Sequence, residues 1–271
     1  MDKKINALYF SATGTTKKVV LGIAETISKN MGQGITVNNI DFSLPGIRRE
    51  SVHFTKQDVV IVGVPVYAGR VPNVLLKYLN TIIGNGALAI PVVVYGNRNY
   101  DDALIELRNI LESNDFKVIA GGAFVGEHSF SKILAKDRPD EKDMAIVKDF
   151  ANQIYSKLSQ ENFQIVTVKG DTPYRNYYMP KNRDGSPVDI RKVTPKTNSD
   201  CKDCKLCVEL CPMGSIDYED VSKFNGICIK CGACIKNCPT QAKYYDDEDY
   251  LRHKYELEVD CAARREPELF I

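Results

Sequence analysis

Cys201-Lys202-Asp203-Cys204-Lys205-Leu206-Cys207-Val208-Glu209-Leu210-Cys211-Pro212 is followed, 27 residues later, by Cys228-Ile229-Lys230-Cys231-Gly232-Ala233-Cys234-Ile235-Lys236-Asn237-Cys238-Pro239. The two stretches are one word written twice. Three cysteines at intervals of three, then a fourth before proline, account for eight of the nine cysteines. Thiolates at this spacing hold iron–sulfur cubes, which move electrons one at a time. Structural zinc is the competing reading, but zinc sites use two well-separated C-x-x-C pairs per ion, and the doubled triplets fit that pattern poorly. The region around the word is short and poor in large apolar residues, so metal ligation has to staple it.

Charge divides along the chain. Residues 200–271 carry 10 basic and 15 acidic side chains, against an overall net charge of +1 for 271 residues. Each oxidised cube with four thiolates adds about −2. An acidic module repels nucleic acid and suits a basic protein surface. The chain has no apolar run long enough to span a bilayer. Its first residues lead directly into a buried-type strand, which predicts a cytoplasmic protein without a targeting segment. Cysteines in that reducing compartment serve as ligands rather than disulfides.

Working back toward the amino end, buried-type strands are predicted at 5–10, 35–41, 58–64, 88–95 and 117–125. Helical patterns lie between them at 16–31, 72–83 and 101–113, with a last one at 141–158. Five such strands alternating with helices predict a doubly wound, three-layer α/β domain with a five-stranded parallel sheet over residues 1–160. Residues 161–198 read as an extended, ordered connector, proline-containing and draped over the surface, with Tyr174, Tyr177 and Tyr178 placed to pack. Residues 199–271 form the small α+β cysteine module with a charged tail, where Cys261 is a spare thiol. The G-x-G-x-x-A at 84–89 precedes a strand and is rejected as a dinucleotide fingerprint.

The first strand ends in Ser11-Ala12-Thr13-Gly14-Thr15-Thr16. Small hydroxyl residues and a glycine at a strand-to-helix turn make an anion cradle of backbone N–H groups and helix potential. The order of elements and this loop resemble flavodoxins, and the cysteine word is that of bacterial two-cluster ferredoxins. The whole chain resembles flavodoxin–ferredoxin fusion proteins of anaerobic bacteria.

The resemblance implies FMN, with its phosphate on Ser11, Thr13, Gly14, Thr15 and Thr16. The ring would lie on Pro65, Tyr67, Ala68, Gly69 and Arg70 and on Gly96, Asn97, Arg98 and Tyr100, with Tyr67 and Tyr100 as stacking residues. Arg70 and Arg98 would stabilise reduced, anionic flavin if they face it. The resemblance also implies two [4Fe-4S] clusters with crossed ligands: Cys201, Cys204, Cys207 and Cys238 for one, and Cys228, Cys231, Cys234 and Cys211 for the other. Gly232 and Ala233 would let the second loop close on its cube.

The expected function is electron relay between the clusters and FMN, to or from a redox partner protein, with no nucleic acid and no membrane span. The alternative is an FMN-dependent reductase of a small organic acceptor, with His128, in the loop after the fifth strand, as a possible proton donor.

Overall fold

Along the first strand, β1 (Lys4–Tyr9), Ile5, Ala7 and Tyr9 enter one hydrophobic cluster, while Leu8 and the following Phe10 enter another. That alternation requires apolar layers on both sides of the strand. The computed structural model describes residues 3–32, 34–161, 163–182 and 184–271. Helices α1 (Thr15–Met31) and, later, α4 (Glu141–Ser159) cover one face; α2 (Asn73–Leu79) and α3 (Ala103–Ser113) cover the other. The strands between are β2 (Val37–Asp41), β3 (Asp58–Pro65), β4 (Leu88–Tyr95), β5 (Lys117–Val118) and β6 (Gly121–Val125). Helix α4 begins with a capping box, Asp140 and Asp143 each accepting the other's backbone N–H, which fixes its start. Among the described residues no helix is long and apolar enough to cross a membrane.

The sheet runs β2-β1-β3-β4-β6, all parallel, in a doubly wound order. The expected fifth strand is split. Both β5 and β6 pair with β4, but the register advances by one residue between Ala89↔Val118 and Val92↔Gly122. The slip lies opposite Pro91, which has no N–H to give the ladder, so the chain bulges there. Pro72 is the cap of α2 rather than part of its first turn, and α2 stops at Leu79, short of the expected residue 83.

Two segments of the second half tie themselves to this sheet. The connector is not merely draped. Val166 and Val168 are buried in the β4/α3 core, and the fully buried Asp102 carboxylate accepts the N–H groups of Asp171 and Arg175. Tyr174 accepts a hydrogen bond from Asn109, and Tyr177 donates to the Val71 carbonyl. After the connector, β7 (Lys196–Thr197) pairs with β8 (Lys243–Tyr244) at the base of the cysteine module. The short helices α5 (Leu206–Glu209) and α6 (Ala233–Lys236) each carry the third cysteine of a triplet, Cys207 and Cys234, and α7 (Glu248–Asp260) comes next.

The last strand, β9 (Glu268–Phe270), then returns to the first domain and pairs antiparallel with β6. The sheet expected to have five parallel strands therefore gains an antiparallel edge from the far end of the chain. The charged tail assigned to the cysteine module ends inside the other domain.

Candidate functional site

The doubled word folds into two matching loops. Each short helix is preceded by a residue in the left-handed conformation, Lys205 (φ 62°) before α5 and Gly232 (φ 77°) before α6. The first loop therefore carries at Lys205 a strain that glycine avoids. The eight cysteines sort into two cavities. Cys201, Cys204, Cys207 and Cys238 line one, and Cys211, Cys228, Cys231 and Cys234 line the other. The fourth cysteine of each word thus crosses to the other triplet.

Backbone N–H groups point at the sulfurs: Asp203 to Cys201 at 3.4 Å, Ala242 to Cys238 at 3.2 Å and Ser215 to Cys211 at 3.4 Å. The Tyr245 hydroxyl lies 3.9 Å from Cys228 Sγ. Burial pushes the Cys231 thiol up to about 12 and the Cys234 thiol higher still, so these thiolates need a cation to form. Among the described residues no three His, Cys, Asp or Glu side chains converge as they would on a single ion. The quartets ring cavities instead, which suits cubes.

At the carboxyl edge of the sheet, the four predicted loops come together. A Cβ on Gly126 would sit 3.2 Å from Thr15 Cβ, and one on Gly96 would meet the His128 ring at 2.5 Å. Asp102 N–H bonds to the Gly69 carbonyl, joining the 65–70 and 96–101 loops. In the first loop, Ser11 Oγ accepts the Lys17 N–H at 3.0 Å. Gly14, at φ 87°, opens α1 with no side-chain cap, and the space beside its Cα is empty. The first N–H groups of the helix are thus offered to an anion. The loop fits a phosphate.

The ring side departs from expectation at several residues. Tyr100 does not face the edge. It is 2 % exposed, packs on Tyr95 and donates to Glu268 of β9 at 2.7 Å. It is a core residue and not a stacking one. Tyr67 stays at the edge, half-buried; burial first, then the charge of Cys231 and Cys228, raises its phenol pKa well above the usual value. Arg70 turns away to a two-pronged pair with the buried Glu106, at 2.8 and 2.7 Å, and stacks on Tyr174 and Tyr177. Its charge is already balanced by the Glu106 carboxylate. Arg98 pairs with Asp101 and stacks on Tyr178 at 4.5 Å.

Asn97, expected as a flavin residue, is fully engaged elsewhere. Its amide donates to the carbonyls of Cys261 (2.6 Å) and Ala263 (2.9 Å), and its oxygen accepts from Arg265 N–H and from Arg138. It clamps the tail on its way to β9.

His128 is neutral over the ordinary pH range. Burial, then Lys236, His253 and Arg98, lower its pKa to about 3. Its Nδ1 accepts the Phe130 N–H at 3.1 Å, which leaves the proton on Nε2. A ring that stays neutral to such low pH is a poor acid, which weakens its expected role as proton donor.

The second quartet sits directly on this edge. A Cβ on Gly232 would lie 2.6 Å from the Ser129 carbonyl oxygen, so the contact between domains also requires glycine there. Lys236 donates to the His128 carbonyl at 2.8 Å and pairs with Glu127, and Arg48 donates to the Pro212 carbonyl. An aromatic ladder fills the joint: Tyr245 to Tyr250 at 4.0 Å, Tyr250 to Phe130 at 4.7 Å and Phe130 to His128 at 5.2 Å. Tyr245, Tyr250, Glu106 and the buried His253 belong to this assembly, and nothing in their local sequence marks them.

Comparison with known proteins agrees with both halves. Residues 7–114 match the family model of a flavodoxin domain, and residues 200–243 match that of a 4Fe-4S dicluster domain. No curated protein matches the chain. Among solved structures, the chain resembles a flavodoxin from the domain Archaea, at 16% identity over 58% of this chain and 99% of that one, with a TM-score of 0.41. It resembles Fusobacterium nucleatum flavodoxin bound to flavin mononucleotide at 17% identity, over 60% of this chain and 99% of that one, with a TM-score of 0.39. It also resembles rubredoxin oxygen:oxidoreductase from the anaerobe Desulfovibrio gigas at 18% identity, over 59% of this chain but 37% of that one, with a TM-score of 0.42. A flavodoxin domain implies FMN, and a dicluster domain implies iron–sulfur clusters. A flavodoxin-domain match and a 4Fe-4S dicluster match in one chain support an FMN and iron–sulfur electron-transfer protein.

Proposed function

We propose that the protein relays single electrons between two [4Fe-4S] clusters and FMN, to or from a redox partner, in an oxygen-poor cytoplasm. The clusters supply one-electron transfer, and FMN can store two electrons. The observation that carries the reading is the seat of the second quartet. Its loop rests on the 126–131 loop, through Gly232 against the Ser129 carbonyl and Lys236 on the His128 carbonyl.

The chain's own residues do three things in this scheme. The eight thiolates hold the cubes in crossed sets, and backbone N–H groups on the sulfurs stabilise their negative charge. The Ser11–Thr16 loop, with Thr13 and Thr15 hydroxyls beside Gly14, binds the phosphate, while backbone of 65–69 and 96–98 borders the ring. Connector, α7 and tail hold the second quartet on the flavin loops, so the distance between cofactors is fixed. His128, held neutral, does not support the proton donor that the reductase alternative assigns to it.

The test is cofactor content. Protein purified without oxygen should contain about eight iron and eight sulfide per chain, since two cubes hold four of each, together with one FMN. Zinc without acid-labile sulfide would overturn the proposal.

A further inference from the structure

The two quartets differ in what covers them. Cys211, Cys228, Cys231 and Cys234 lie against the flavodoxin domain, through Gly232 on Ser129, Lys236 on His128 and Arg48 on Pro212. In the other quartet, Cys204 is exposed, and exposed Lys202, Asp203 and Pro239 border the cavity. The loops expected to line the flavin ring are also covered. The 65–70 loop is held by the connector, with Tyr178 N–H on the Ala68 carbonyl; the 96–101 loop by the tail on Asn97; and the 126–131 loop by α6. A macromolecule approaching that edge meets this chain's own second half.

We propose that protein partners exchange electrons only at the Cys201, Cys204, Cys207 and Cys238 cluster, and that its rim is a docking face for a basic one-electron carrier protein. The inference rests on the relay reading and adds an order: carrier, outer cluster, inner cluster, flavin. One electron crosses the face at a time; the carrier is reduced by one electron as the outer cluster is oxidised by one, or the reverse.

The chemistry of the rim selects the partner. Residues 200–223 carry six acidic and three basic side chains. Two of those lysines are already neutralised, Lys205 by Asp203 and Lys223 by Asp220. The cube adds about two negative charges. An apolar anchor stands beside them: Tyr218 is 62 % exposed, with Lys205 held 5.1 Å above its ring. An exposed aromatic residue ringed by like charge is the composition of a docking spot for a partner of opposite charge.

The test uses the holoprotein and a basic c-type cytochrome as the probe, with two readouts. Carbodiimide cross-linking followed by mass spectrometry should join cytochrome lysines to acidic residues of 200–223. Glu209→Lys with Glu219→Lys should weaken binding and slow cytochrome reduction about tenfold at low salt, with the difference shrinking as salt rises. Tyr218→Ala should weaken binding at all salt concentrations. The control is Glu25→Lys with Asp149→Lys, exposed on α1 and α4, which makes the same charge change and should alter binding less than twofold. Cross-links on 65–70 or 126–131, equal loss in the control, or no loss in either would overturn the proposal. Iron content and visible spectra of each variant show that the clusters are intact. Photoreduction of the flavin by a small dye, needing no docking, reports the relay separately. A normal dye result with a failed docking result defeats the port alone.

Discussion

Replacing Asn97 by alanine should release the carboxyl-terminal strand from the sheet. Asn97 is 2 % exposed and makes four hydrogen bonds that hold the chain between Cys261 and Arg265 as it turns toward β9. Two of the bonds are short, at 2.6 and 2.9 Å, and two are long, at 3.2 and 3.4 Å. At roughly 1 kcal/mol net for each good bond and less for the long ones, their loss costs about 3 kcal/mol. The residue also sits at φ 64°, a left-handed conformation that asparagine tolerates and alanine resists by about 1 kcal/mol. Glycine at this position removes the bonds without the strain.

Hydrogen exchange at the β9 amides reads the opening directly. About 3 kcal/mol corresponds to roughly a hundredfold loss of protection in Asn97→Gly, and Asn97→Ala should lose about fivefold more. Protection in β3, at the sheet centre, should stay unchanged in both. A β9 protection loss below tenfold in the glycine variant would show that the strand is held by something other than this clamp.

Three other outcomes follow from the same geometry. Arg70→Met leaves the buried Glu106 carboxylate without its partner and should lower stability by about 3–5 kcal/mol; adding Glu106→Gln should recover much of that loss, and denaturant melts of the two variants decide it. Because Arg70 faces Glu106, the flavin potential should move little in either, and a large shift would contradict its placement. Thr13→Ala with Thr15→Ala should weaken FMN binding by about tenfold or more, from two lost hydroxyl donors at roughly 1 kcal/mol each, while iron content stays constant; unaltered flavin affinity would show that the phosphate lies elsewhere. His128 is neutral in the folded protein to about pH 3, whereas an unfolded histidine takes its proton near 6.5. Its contribution to stability is therefore constant above pH 6.5 and declines as pH falls from there toward 3. Following the His128 ring by NMR checks this: chemical shifts that titrate near pH 6.5 in the folded protein would refute it.

The parts of the fold legible in sequence were those whose causes are local. Crossed quartets follow a spacing of three and a trailing Cys-Pro, and the parallel sheet follows runs such as 58–64 that are apolar on both faces. The misread residues all take their roles from distant partners. Tyr100 looked like a loop aromatic, but its hydroxyl is claimed by Glu268, 168 positions away. Asn97 looked like a ring-side amide until the tail arrived from residues 261–265. Arg70 was read by its loop, but Glu106, 36 positions later in α3, decides where it points. The strand β9 has three residues in a charged stretch and borrows its stability from the edge of β6, so no periodicity could announce it. Gly232 was legible as a required glycine, but one further reason, the Ser129 carbonyl, belongs to the docking of the two domains.

The central claim is that electrons pass within one chain through the inner quartet to the flavin. Flash photoreduction without oxygen, with less than one electron per molecule, tests it most directly. The account predicts that the cluster absorbance falls first and then recovers as the flavin absorbance falls, in a first-order phase whose rate does not depend on protein concentration. In Cys211→Ser, which removes a ligand of the inner cluster only, that phase should vanish while the outer cluster is still reduced. Flavin reduction whose rate scales with concentration in the unaltered protein, or an internal phase that survives Cys211→Ser, would contradict it.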